Sequence, residues 1–182
     1  NVGTADTSAD SGAVTTDLTA PTLSNIAEAT TGSGDANNGD TVSLTITSSE
    51  AIQQPTCTFS SGGAAMASTP SYSGSGTSWT SSIAVADGDT NGAVTFSCTY
   101  SDLAGNAGNA DTSADSGDVD VDNTHPTLSA AVLAVGGSGN GNNGDSMTLT
   151  ITPSETIGTP TCTFKSGTVA MANTVSYSTS GA

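Results

Sequence analysis

Carboxylates dominate the side chains able to do chemistry: 17 Asp and Glu stand against one Lys, no Arg and one His, for a formal net charge of -16. Oxygen donors of this kind suit hard divalent cations, calcium above all. Asp87-Gly88-Asp89-Thr90-Asn91-Gly92 sets Asp87, Asp89 and Asn91 at alternate positions before a Gly turn, as in the first half of an EF-hand loop. The second half is missing, because Cys98 stands where that loop carries its closing Glu. The plain alternative is an acidic hairpin turn. A second set comprises Asp111, Asp115, Asp118, Asp120 and Asp122. Strand alternation puts Asp118, Asp120 and Asp122 on one face, a repulsive arrangement that a calcium ion would relieve, with Asp102 or Asp40 as further ligands. The competing reading is a solvated acidic edge that discourages pairing between sheets.

Other chemistry is poorly supplied. A hydrolytic triad or a zinc site needs a positioned imidazole, and the one His, His125, falls at a linker. Glu50 and Glu155 recur in a Ser-Glu-x-Ile pattern, but a paired-carboxylate site needs a second acid and a cleft that no local spacing supplies. The chain therefore reads as a non-enzyme. Three cysteines, Cys57, Cys98 and Cys162, are either disulfide partners or small buried hydrophobes.

The elements that position these residues read as short strands. Val42, Leu44 and Ile46 alternate with Thr41, Ser43, Thr45 and Thr47, a half-buried strand. Cys57 and Phe59 share a face, as do Trp79, Ile83 and Val85, and then Val94, Phe96, Cys98 and Tyr100. Leu23 to Glu28 and Val119 to Val121 supply first and last strands. Turns fall at Asn37 to Asp40, Gly62-Gly63 and Asp87 to Gly92. Aromatic residues are only 4% of the chain, so each core must be thin. The missing basic surface excludes nucleic-acid binding, and no apolar run is long enough for a helical membrane span.

Self-comparison organises the chain. Residues 1–77 align without a gap on residues 106–182 at a constant offset of 105, with about 48 of the 77 positions identical. Pro55-Thr56-Cys57-Thr58-Phe59 returns as Pro160-Thr161-Cys162-Thr163-Phe164, and Pro21-Thr22-Leu23-Ser24 as Pro126-Thr127-Leu128-Ser129. The acidic set is copied in part, as Asp6, Asp10 and Asp17. Pro21 and Pro126 mark boundaries, since Pro fixes an extended entry and cannot donate to a ladder. The expected organisation is the final strand of a preceding repeat over 1–18, a complete repeat over 19–124 and the first half of a following repeat over 125–182. The expected fold is all-β, a sandwich of about seven strands repeated every 105 residues.

Three pieces carry a family resemblance. They are Asp-x-Thr-x-Pro-Thr-Leu-Ser at Asp17 to Ser24, Asn-Gly-Asp-Thr-Val-Ser-Leu-Thr-Ile-Thr at Asn38 to Thr47, and the run from Gly92 to Gly108 that includes Ser101-Asp102-Leu103-Ala104-Gly105-Asn106. Together they resemble the tandem Ig-like repeats of giant bacterial surface adhesins and of related marine extracellular fibre proteins. The resemblance implies immunoglobulin-like sandwiches acting as extender domains, stiffened by calcium at junctions and loops. In such a fold the strands of Cys57 and Cys98 pair within one sheet, which makes these two the expected disulfide and implies an oxidising, extracellular compartment. Cys162, the copy of Cys57, would then have its partner 41 residues on. The function so implied is a stalk or filament on a cell surface, its partners being neighbouring repeats or further copies in a self-assembled filament. The alternative is a ligand-binding module whose loops hold glycan or protein. Loop identity between the copies favours the structural role, because binding sites usually occupy variable loops or atypical end domains.

Overall fold

A computed structural model describes residues 15–32, 34–136 and 140–178 of the chain. Most of the expected final strand over 1–18 lies outside these residues, as do Asp6 and Asp10. The chain divides into two compact units, Asn1–Thr124 and His125–Ala182.

The first unit is all-β among its described residues, with strands β1 (Leu23–Thr30), β2 (Thr41–Ser48), β3 (Thr56–Ser61), β4 (Ala64–Ala65), β5 (Ser71–Ser75), β6 (Ser78–Ala84), β7 (Gly92–Thr99) and β8 (Asp120–Val121). They form two four-stranded sheets in the orders β1-β2-β6-β5 and β4-β3-β7-β8. Every ladder is antiparallel. The alternation of β2 buries Val42, Leu44 and Ile46, while β3 and β7 bury Cys57, Phe59, Val94, Phe96 and Cys98. These side chains belong to one cluster fed by both sheets, an arrangement consistent with a β-sandwich.

The turns follow from their residues. Asp40 takes the Asn37 N–H on its carboxylate at 3.0 Å and returns its own N–H to the Asn37 carbonyl at 2.9 Å, with Gly39 at φ 99°. At Gly62, φ is 53° and a Cβ would collide with the Asn91 carbonyl, so only Gly lets the β3–β4 turn lie against the start of β7.

The closing segment, Ala114 to Asp122, bridges the layers. It pairs antiparallel with β7 through β8, and single parallel bridges join it to β1 (Ala27 to Ser116) and to the β1–β2 connection (Ala36 to Val121). Val119 and Val121 turn inward while Asp118 and Asp120 stay exposed. Asp122, the third acid expected on that face, is half-buried.

In the second unit β9 (Leu128–Val135) pairs with β10 (Met147–Pro153), and β11 (Lys165–Ser166) with β12 (Val169–Ala170). Local hydrogen bonds recur there at positions 105 apart. Thr22 N donates to Ser49 Oγ at 3.0 Å and Thr127 N to Ser154 Oγ at 2.9 Å; Cys57 N donates to the Tyr72 hydroxyl at 2.9 Å and Cys162 N to that of Tyr177 at 3.0 Å.

Candidate metal centre

Three acids far apart in sequence converge in the first unit. Asp17 lies in the extended entry segment, Glu50 in the bend after β2, and Asp102 in the loop after β7. Each places a carboxylate oxygen within 4.8 Å of the others. Among the described residues, no other group of three metal-ligating side chains approaches so closely.

Local bonding fixes Asp17, Asp102 and the bend that carries Glu50. Thr22 and Ser49 exchange hydrogen bonds, Ser49 N to Thr22 O at 2.8 Å and Thr22 N to Ser49 Oγ, which holds the entry segment beside the bend that carries Glu50. The Ser48 hydroxyl donates to the Glu50 carbonyl at 2.6 Å. Asp17 Oδ1 takes the Thr19 N–H at 3.0 Å, and the Asp17 carbonyl takes the Asn106 amide at 3.1 Å. Asp102 is 1% exposed and organises its own loop: Oδ1 accepts from Gly105 N at 2.6 Å and Asn106 N at 2.7 Å, and Oδ2 from Asn106 Nδ2 at 2.7 Å. A carboxylate offers about four lone-pair sites, so Oδ2 keeps one for a further partner.

Burial pushes the Asp102 carboxyl up. The hydrogen bonds from Asn106, Gly105 and Ala104 outweigh that and hold it below the usual Asp value. Glu50 moves the other way, raised by burial and then by the charges of Asp17 and Asp102. Three acids without a cation repel, and the strain falls on Glu50.

The donor set fits a hard cation. Oxygens about 2.4 Å from one calcium lie at most about 4.8 Å apart, and no soft ligand is present. Three carboxylates are half a calcium shell.

The residues singled out at the EF-hand-like turn are held otherwise. Asp89 is buried and directs Oδ1 to Ala67 N and Oδ2 to Ala86 N, both at 2.8 Å, which organises the turn before β7. Asp87 and Asn91 are exposed. Asn91 spends its amide on Asp122 Oδ1 at 2.8 Å and Thr124 Oγ1 at 2.7 Å, and its Oδ1 accepts Asn123 N at 2.9 Å. Asp118 and Asp120 lie instead near Glu28 of β1, a neighbour that sequence reading missed. Of the two acids named as further ligands, Asp102 joins the converging group and Asp40 stays in its turn.

Cys57 and Cys98 form a disulfide, directly opposite one another on β3 and β7 with their Cα atoms 4.1 Å apart. Cys98 exchanges its backbone hydrogen bonds with Asp111, so the cysteines occupy a non-hydrogen-bonded pair, the closer of the two antiparallel spacings. Cys162 is free.

Neither a protein-family model nor a curated protein matches the chain.

Proposed function

We propose that the chain is a section of an extracellular array of Ig-like repeats, a stalk or filament whose role is to hold other parts of a surface structure at a distance, and that calcium binds at Asp17, Glu50 and Asp102. The observation that carries this reading is the convergence itself. One acid comes from the segment that enters the unit and two from the sandwich, so an ion held by all three would fix the entering chain against the sandwich. Such an ion would add to the hydrogen bonds that already hold the entry, and a stiffer entry is what an extender needs and an enzyme does not.

Two further features support the reading. A disulfide in the core suits an oxidising compartment and a thin core. A surface with one Lys among 182 residues keeps neighbouring copies soluble and apart.

The experiment compares three conditions for the 182-residue chain: calcium, chelator, and chelator with sodium chloride matched in ionic strength. Scattering and thermal melting should show a longer, more stable chain in calcium alone. Equal behaviour in calcium and matched salt would remove the metal from the proposal. Saturable glycan or protein binding abolished by loop substitutions would replace the structural role with the binding-module reading.

A further inference from the structure

Glu28 occupies a place built for an apolar side chain. On β1 it turns inward with Ile26, and it is only 8% exposed. Its Oε1 is buried without a hydrogen-bond partner. At the 105-residue offset the matching residue is Leu133.

What faces Glu28 makes its charge costly. Across the ladder is Leu44, and β2 carries no ionisable residue. The closing segment supplies a hydrogen bond from the Val119 backbone, but it also brings Asp118 and Asp120, both of which repel an ionised Glu28. Asp115 on the same segment accepts the Ile26 N–H at 2.7 Å through Oδ2. No Lys, Arg or His precedes His125 in the sequence, so the first unit holds no basic side chain to neutralise Glu28.

The segment in question closes the unit. Glu28 N donates to Ser116 O and Asp115 N to Ile26 O, both at 2.8 Å. Gly117, at φ 82°, presses so closely that a Cβ there would strike the Glu28 carbonyl. First and last elements thus meet at the backbone of one buried acid.

We propose that Glu28 is a proton-operated latch: neutral, it packs as part of the core and lets the closing segment Asp115 to Val121 lie against β1; ionised, it loosens that segment. Burial first, and then the charge of Asp118, raise the carboxyl from 4.5 to about 7. The folded value exceeds the unfolded one, so the folded unit binds the proton more tightly. The resulting stability is fully present below about pH 4.5 and is lost as pH rises through about 7. The latch requires nothing of the acids at Asp17, Glu50 and Asp102.

The test is a carbon-detected carboxyl titration of the 182-residue chain in chelator from pH 5 to 8, with hydrogen exchange of the amides of Ser116 to Val121 corrected for intrinsic rates. Glu28 should titrate near 7, and protection of those amides should fall by roughly tenfold or more across the range. Glu28→Leu and Glu28→Gln should keep the pH 5 protection at pH 8, and Asp118→Asn should lower the Glu28 midpoint. A Glu28 midpoint at or below about 5 would overturn the latch, and it can be read in the wild-type chain even if a variant fails to fold. So would protection that still varies with pH in both Glu28 variants.

Discussion

The hydroxyl of Tyr72, on β5 of one sheet, accepts the N–H of Cys57 on β3 of the other at 2.9 Å and donates to its carbonyl at 3.2 Å. β3 has β7 on one side, while its short partner β4 reaches only Ser60 and Ser61. One phenol therefore satisfies the backbone groups of Cys57 on that open side and ties the two sheets together. Tyr72→Phe keeps the ring but leaves a buried N–H and carbonyl unpaired, at a cost of about 1–2 kcal/mol. In a domain of this size Tm should drop by ~4–8 °C for each kcal/mol, as calorimetry can show. An unchanged Tm would mean that water replaces the hydroxyl.

The disulfide closes a separation of 41 residues. Loop-closure entropy puts its contribution at about 4 kcal/mol, a large share of the stability of a thin-cored domain. Cys57→Ala with Cys98→Ala should lower the denaturant midpoint accordingly at nearly constant slope. Mapping of the unreduced wild type should recover the two cysteine peptides linked and Cys162 alkylated.

Much of this architecture was legible in the sequence, because β2, β3 and β7 alternate apolar and hydroxylated residues so regularly that the inward face of each follows. β5 was not. Its Ser71-Tyr72-Ser73-Gly74-Ser75 is largely exposed and lies at a sheet edge, so Tyr72 alone marks its inner face. Glu28 sits in phase with Ile26, but its residue type points to solvent and only the structure turns it inward. Asp17, Glu50 and Asp102 were each visible as acids, yet no local spacing joins three loops separated by whole strands. Their convergence is a product of sheet topology. The EF-hand-like turn shows the converse, since a ligand-like spacing serves a turn in which Asp89 binds two backbone amides.

Asp102 should make the unit acid-sensitive. Its carboxyl is held below the usual Asp value, so the stability it contributes is present above the unfolded value of 3.8 and is lost as pH falls through the lower folded one. Asp102→Asn keeps an acceptor for the loop amides but removes the charge, whereas Asp102→Ala leaves the Gly105 and Asn106 N–H groups without their partner. Melting at neutral pH should therefore rank wild type above Asp102→Asn and Asp102→Ala lowest. The acid sensitivity should be weaker in both variants, and an equal effect of the two on Tm would show that the loop hydrogen bonds contribute little.

Calcium and protons should compete at Glu50. Glu50 is raised by burial and by Asp17 and Asp102, so an ion bound among the three must displace whatever proton Glu50 holds. Calcium affinity should accordingly fall as pH drops through the Glu50 titration, and binding there should release protons that two buffers of different ionisation enthalpy reveal in calorimetry. Extracellular sites of this kind bind with dissociation constants of about 0.1–1 mM, so a tenfold excess adds roughly 1.4 kcal/mol to the folded state. Glu50→Gln should abolish the proton release and weaken binding while leaving the fold intact, because its side chain makes no bond that the sandwich needs. Asp17→Asn should weaken binding too and, lying in the entry segment, should cancel the gain in extension. Plain ionic screening predicts a different pattern, in which sodium at matched ionic strength acts as well as calcium and neither substitution matters. Calcium binding that is independent of pH and indifferent to Glu50→Gln would move the ion elsewhere on this acidic surface.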